Sequence, residues 1–313
     1  VFKSALTNPI KQRGSRVPIY LLLPLGAALF YALGSIIVKR SLREGVSMEQ
    51  AFHISNLILG IVFFPLLFLE TKEVDWGNCW KPLALAAVFL VATWLTFLSL
   101  KKGDVTLVTP LMGTKVVFVA VGVTLLTSRE PSAALWVAAV MTAIGIFVMG
   151  LGDIKGGRHV AFTILVTLLS AACYGLYDVL LSSWGPEFGI MAFLSLSCLD
   201  VSLGTLAVWV LQGRPSLKVK SPGAKGIWWG ASLIALQALI LGLALGFFND
   251  ATGINVMYAS RGLWVIVLVV LLGGALGNQE HQQSSGAFLW RIVGTLVLTT
   301  AIVIAVIDRS QVG

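Results

Sequence analysis

Asp104-Val105-Thr106-Leu107-Val108-Thr109-Pro110-Leu111-Met112-Gly113-Thr114-Lys115 enters a long apolar segment and places a lysine well inside it. Much later, Asp250-Ala251-Thr252-Gly253-Ile254-Asn255-Val256-Met257-Tyr258-Ala259-Ser260-Arg261 repeats the design. In each stretch a cation follows an aspartate eleven residues on (115 − 104 and 261 − 250), and the apolar run continues past the cation. A charge deep in a hydrophobic segment is costly in lipid. Its recurrence at matched places points to a duplicated fold with a central site.

The composition is that of a chain in contact with lipid. Of 313 residues, 57% are hydrophobic and only 12% charged, where a soluble domain carries about a quarter. The mean hydropathy is +0.91. The net charge of +8 reads as lysines and arginines at membrane interfaces, not as a nucleic-acid patch, so no nucleic-acid partner is expected. Cys79, Cys173 and Cys198 are scattered. Their spacing suits no metal, and an odd count argues against a disulfide framework. No metal or cofactor is expected. The first apolar run is too long for a signal-peptide core and lacks a convincing cleavage site, so it reads as a retained span.

A helix needs about 20 apolar residues to cross the hydrocarbon. That rule gives ten spans, at 19–38, 51–69, 82–100, 104–127, 133–152, 160–182, 190–211, 227–248, 251–275 and 287–307. A basic tail occupies 1–18, and five spans lie on each side of residue 155. The halves match in order. Tyr31 pairs with Tyr174, Asn56 and Gly60 with Asp200 and Gly204, Lys115 with Arg261, and Trp136 with Trp290. A unit of five crossings places its second copy the other way up. The expected fold is therefore an all-α polytopic membrane protein of ten transmembrane helices in two inverted five-helix repeats, 19–152 and 160–307. Such folds bind near the midplane, between the halves, and alternate access by rocking. Loop cations lean only slightly to the side away from the N-terminus, and orientation stays open.

Leu100-Lys101-Lys102-Gly103-Asp104, Pro110, Arg129-Glu130-Pro131-Ser132 and Gly145-Ile146-Phe147-Val148-Met149-Gly150 resemble the fourth and fifth helices of the drug/metabolite transporter superfamily, EamA type. The ten-span layout agrees with that family over the whole chain. The second half departs from it, with Glu280 before the last span but no compact Glu-Pro-Ser. The resemblance implies a secondary carrier of small molecules, expected in the cell (plasma or inner) membrane, and not an enzyme.

Four ionisable groups fall well inside spans: Lys115, Asp178, Asp200 and Arg261. Each costs about 2.5–3.5 kcal/mol at a helix centre on insertion scales, so all must face the interior. Tyr174, Asp178 and Ser182 share one side of the sixth span, as Tyr31, Ser35 and Lys39 do in the first. Thr109, Met112 and Lys115 match Asn255, Tyr258 and Arg261. The two cations recur in the repeat, which favours a site role over mere neutralisation of the acids. Asp178 and Asp200 match uncharged Ser35 and Asn56 in the first half, and stay open between ion-pair partner, proton carrier and contact for a substrate cation. In the triose-phosphate and nucleotide-sugar carriers of the same superfamily, basic residues on the fourth and ninth helices hold the substrate's anionic group. The resemblance thus implies an anionic or zwitterionic metabolite held by Lys115 and Arg261, with Tyr31, Tyr174, Thr109, Asn255 and Tyr258 as hydrogen-bonding neighbours. Pro110, five residues before Lys115, is the expected conformational residue.

Other polar and aromatic groups have plainer readings. His53 fits an interfacial hydrogen bond, Trp94 and Trp264 fit lipid or packing contacts, and Gly242/Gly246 and Gly273/Gly277 fit close helix contact. Pro24 and Pro65 are candidate kinks. A lipophilic-cation exporter would instead use Asp178 and Asp200 as its primary site. A membrane enzyme would need a motif such as His-Glu-x-x-His or Gly-x-Ser-x-Gly, and neither is present.

Overall fold

In hydrocarbon the backbone has no water to bond, so each apolar run closes its N–H and C=O groups on itself as a helix. The computed structural model describes residues 18–102, 108, 111–128, 130–150, 160–272 and 285–312. Asp104, Thr109, Pro110, Gly273, Gly277 and residues 1–17 of the basic tail lie outside them. A 3-10 turn, Ile19–Leu21, leads into α1 (Leu22–Arg43). Then come α2 (Met48–Phe63, extended by a 3-10 stretch Phe64–Leu69), α3 (Trp80–Lys102), α4 (Lys115–Leu126), α5 (Ala133–Gly150), α6 (Val160–Phe188), α7 (Ile190–Leu211), α8 (Ala224–Phe248), α9 (Ala251–Tyr258), α10 (Arg261–Leu272) and α11 (Ser285–Val312). Among the described residues there is no strand. Among the described residues seven helices are long and apolar enough to cross a membrane, and Lys115–Leu126 and Ala133–Met149 are shorter apolar helices.

Local chemistry sets the ends. Ser47 and Gln50 form a reciprocal capping box at the start of α2. Pro65 stands where α2 tightens to 3-10 geometry. Between α6 and α7, Gly189 has φ +110, and the Glu70 carboxylate accepts from Met191 N and Ala192 N at the part-buried start of α7.

Many large apolar side chains face outward, while Phe63, Phe188 and Phe193 fill the interior and glycines mark the closest helix crossings. Trp94 is 60% exposed and Leu125 74%, which assigns Trp94 to the lipid face. Gly34 and Gly230 meet where α1 crosses α8, and a Cβ on Gly34 would come 2.9 Å from the Gly230 carbonyl. Gly145 and Gly294 meet in the same way where α5 crosses α11. Small residues at crossings let helix backbones approach in lipid. Gly242 and Gly246 fit this use too, against Leu194 and Ile190 of α7. The strongest pairings are α1 with α8, α3 with α6, α2 with α7 and α5 with α11. The α3–α6 contact is a hydroxyl seam, with Thr96 on Ser170 at 2.7 Å and Ser99 on Thr167 at 2.5 Å. Between α2 and α7, the Asn56 amide donates to Thr205 Oγ1 at 3.1 Å, and Ser202 donates to the Asn56 carbonyl at 2.8 Å. Thr205→Val removes the acceptor of that amide and is expected to cost about 1 kcal/mol, measured as a loss of thermal stability in detergent.

Two spans depart from the sequence expectation of continuous helices. In 104–127, Leu111 and Met112 are helical, Gly113 and Thr114 form a turn, and α4 starts afresh at Lys115. In 251–275, α9 stops at Tyr258, Ala259 and Ser260 turn, and α10 starts at Arg261. Both junctions carry bonds to the third residue back, such as Thr114 N to Leu111 O at 3.1 Å and Ser260 N to Met257 O at 3.1 Å. This is the 3-10 tightening found at mid-helix hinges. The Thr114 hydroxyl also donates to Leu111 O at 2.7 Å, satisfying a carbonyl that the turn releases. Apolar periodicity carries no trace of a turn that conserves most backbone bonds.

Candidate functional site

Each interrupted span resumes at a cation. Lys115 is the first residue of α4 and Arg261 the first of α10, and each is followed by eleven residues of apolar helix.

From α4, Lys115 Nζ reaches 2.6 Å from Oδ2 of Asp178 on α6. The lysine side chain is 12% exposed and the aspartate 3%. Among the described residues Lys115 is the one cation within 4 Å of Asp178. Arg261 is placed differently. Its Cζ lies 4.9 Å from the ring centres of both Tyr31 and Tyr258. Those rings meet edge to face at 6.1 Å. Among the described residues no carboxylate lies within 4 Å of Arg261. The Tyr258 ring centre also lies 5.9 Å from Lys115 Nζ, so one ring neighbours both cations. A guanidinium over aromatic faces gains about 0.5–2 kcal/mol, which steadies its position but does not neutralise its charge.

Lys115, Tyr258 and Arg261 border a small cleft, lined also by Met112, Gly113, Val116, Ile146, Asn255 and Ala259. Two cations and one carboxylate give the cluster one net positive charge. Lys115, Arg261, Tyr31, Tyr258, Asn255 and Asp178, all singled out in the sequence, are thus brought together. Asn255 is 1% exposed and its amide donates to Ala251 O at 2.9 Å. Tyr174, one turn before Asp178, bonds Thr93 Oγ1 at 3.1 Å and rests on Phe89. Asp200 stands apart, with no ion pair among the described residues. His53 is 1% exposed and bonds Gln212 at 3.0 Å near the end of α7, in keeping with an interfacial role. Trp264 packs with Ala32, Ile36 and Leu268.

A second charged cluster escapes sequence reading. Asp250 caps α9 by accepting from Gly253 N at 3.1 Å. It also takes both arms of Arg309, at 2.7 and 2.9 Å, and the Tyr20 hydroxyl at 2.8 Å. This ties the start of α1 and the end of α11 to the short helix that carries Tyr258. A terminal arginine beyond an apolar run reads only as an interfacial anchor, so nothing in the sequence announced the pair.

The described helices, apolar on their outer faces, are those of an integral membrane protein. A solved structure described as "Crystal structure of protein" shares the fold, with a TM-score of 0.70 at 15% identity over 91% of this chain and 96% of that one. No curated protein matches. The EamA-like transporter family matches residues 18–151, the part of the chain that runs from α1 through α5. That family is a branch of the drug/metabolite transporter superfamily, and the likeness to it is carried by residues 18–151.

Proposed function

We propose that this membrane transporter is a secondary carrier of a small organic acid, worked by alternating access, with Arg261 as the group that grips the acid. The observation that carries the reading is an arginine at the head of an apolar helix, stacked near Tyr31 and Tyr258 and bordering a cleft, with no carboxylate within 4 Å among the described residues. A guanidinium holds a carboxylate through two parallel hydrogen bonds. Lys115 borders the same cleft but is engaged by Asp178. Tyr258 and Tyr31 wall the arginine, and Asn255 backs the cleft.

The inverted-repeat reading has support in the packing. Exchanging the halves turns α1 into α6, α2 into α7, α3 into α8, α4 into α10 and α5 into α11. The pairing α1–α8 then becomes α6–α3, α2–α8 becomes α7–α3, and α1–α10 becomes α6–α4, all of which occur. A pseudo-two-fold axis in the membrane plane would produce that pattern. The lipophilic-cation reading fits less well, because Asp178 is tied to Lys115 and Asp200 stands outside the cluster.

The test is counterflow of small organic acids into liposomes. Arg261→Met keeps length and apolar stem but loses the charge, and it is expected to lower uptake by more than about tenfold in protein that still purifies as a folded species. Arg261→Lys should recover part of it. Wild-type uptake by Arg261→Met would sink the proposal.

A further inference from the structure

We infer that Asp178 sets the charge selectivity of the site by occupying Lys115, so that the cleft takes a singly charged organic anion and disfavours a dianion. The inference rests on Arg261 being the acid-gripping group.

Lys115 and Arg261 border one cleft, with the Tyr258 ring neighbouring both cations. Two free cations so placed would suit a ligand with two negative charges. The 2.6 Å contact with Asp178 removes one of them. What remains is the single positive charge of Arg261, which one carboxylate neutralises. A second carboxylate would have to displace Asp178, leaving an aspartate of 3% exposure charged and unpaired, or else lie against Met112, Val116 and Ile146. Either course is costly in a low-dielectric site. The same three side chains suit the apolar body of a monocarboxylate. Arg261 therefore supplies the grip, and Asp178 counts the charge.

Propionate and malonate differ by one carboxylate on a three-carbon frame and serve as probes. Their affinities for the purified protein are measured by calorimetry at a pH where malonate is a dianion. Wild type should favour propionate. Asp178→Asn frees Lys115, raises the site to two net positive charges, and should move the propionate-to-malonate preference toward malonate by about tenfold or more. Adding Lys115→Gln to Asp178→Asn restores one net charge and should return the preference to the wild-type side. An unchanged ratio in Asp178→Asn overturns the inference. So does tighter malonate binding by wild type, which holds the test open even where Asp178→Asn does not fold. Arg261→Met separates the two readings. Wild-type binding lost in Arg261→Met, with a ratio indifferent to Asp178, removes the charge filter alone. Binding of both probes that is indifferent to Arg261 removes the underlying function and the filter with it.

Discussion

Lys115→Met is expected to destabilise the protein by about 3–5 kcal/mol, and Asp178→Leu added to it to recover most of that loss. Methionine matches the lysine stem in length and suits an apolar helix, so the substitution subtracts the charge with little change in packing. It leaves behind a carboxylate of 3% exposure, for which Lys115 is the one cation within 4 Å among the described residues. Removing one member of a buried pair strands the other, whereas removing both leaves apolar groups that a membrane interior tolerates. The converse single change, Asp178→Leu, should be milder. Lys115 is 12% exposed and borders the cleft, and its long stem can carry the ammonium toward water. Thermal and denaturant unfolding of the purified protein in detergent would read the three variants. Equal stability of Lys115→Met and the double variant would show that Asp178 does not depend on its partner.

That asymmetry marks how far the sequence reaches. Two cations at matched positions were legible because a charge inside an apolar run is rare and repetition is countable. Their partners were not. Asp178 and Asp200 have the same chemistry and lie at similar depths in neighbouring spans, yet only Asp178 is turned onto Lys115. Which of two acids meets a lysine depends on the rotation of helices that are apolar on every side, and on those helices the pattern is nearly silent. Arg261 illustrates the same limit, since its tyrosine neighbours come from α1 and α9, more than two hundred residues apart in sequence.

Helix boundaries fail for a related reason. Apolar runs stop at the first charge, but helices do not. α1 continues from Val38 to Arg43, and α6 runs on through Pro186 to Phe188. The turns at Gly113–Thr114 and Ala259–Ser260 are hidden in the opposite sense. Gly113 was at least a weak breaker, while Ala259 and Ser260 suit a helix. Those turns matter most for the site. Each starts a new helix at its cation and directs the positive end of that helix's dipole toward the cleft.

Gly145→Val should cost about 3 kcal/mol or more, the upper end of overpacking penalties, and much of the protein should fail to survive extraction. A Cβ at Gly145 would lie 3.0 Å from both Gly294 O and Leu298 N and 3.3 Å from Leu298 Cα. All three are backbone atoms of α11, so no side-chain rotation relieves the collision. α5 and α11 would have to part along a crossing built from two glycines. Gly26→Val supplies the control, because a Cβ there has nothing within 4 Å and the residue likewise lies within a membrane helix. Both variants add the same apolar side chain and the same β-branching, so the difference between them isolates the crossing. Size-exclusion chromatography after a heat challenge should show Gly26→Val near wild type and Gly145→Val largely lost. Comparable survival of the two would mean that α5 and α11 pack less closely than their glycines imply. Gly34→Val offers an independent repeat at the α1–α8 crossing, where the colliding atoms include the Gly230 carbonyl at 2.9 Å and Ile234 N at 3.2 Å. Failure at both positions would place the stability of this fold in backbone-to-backbone contact across the two halves, with the cation cleft held between them.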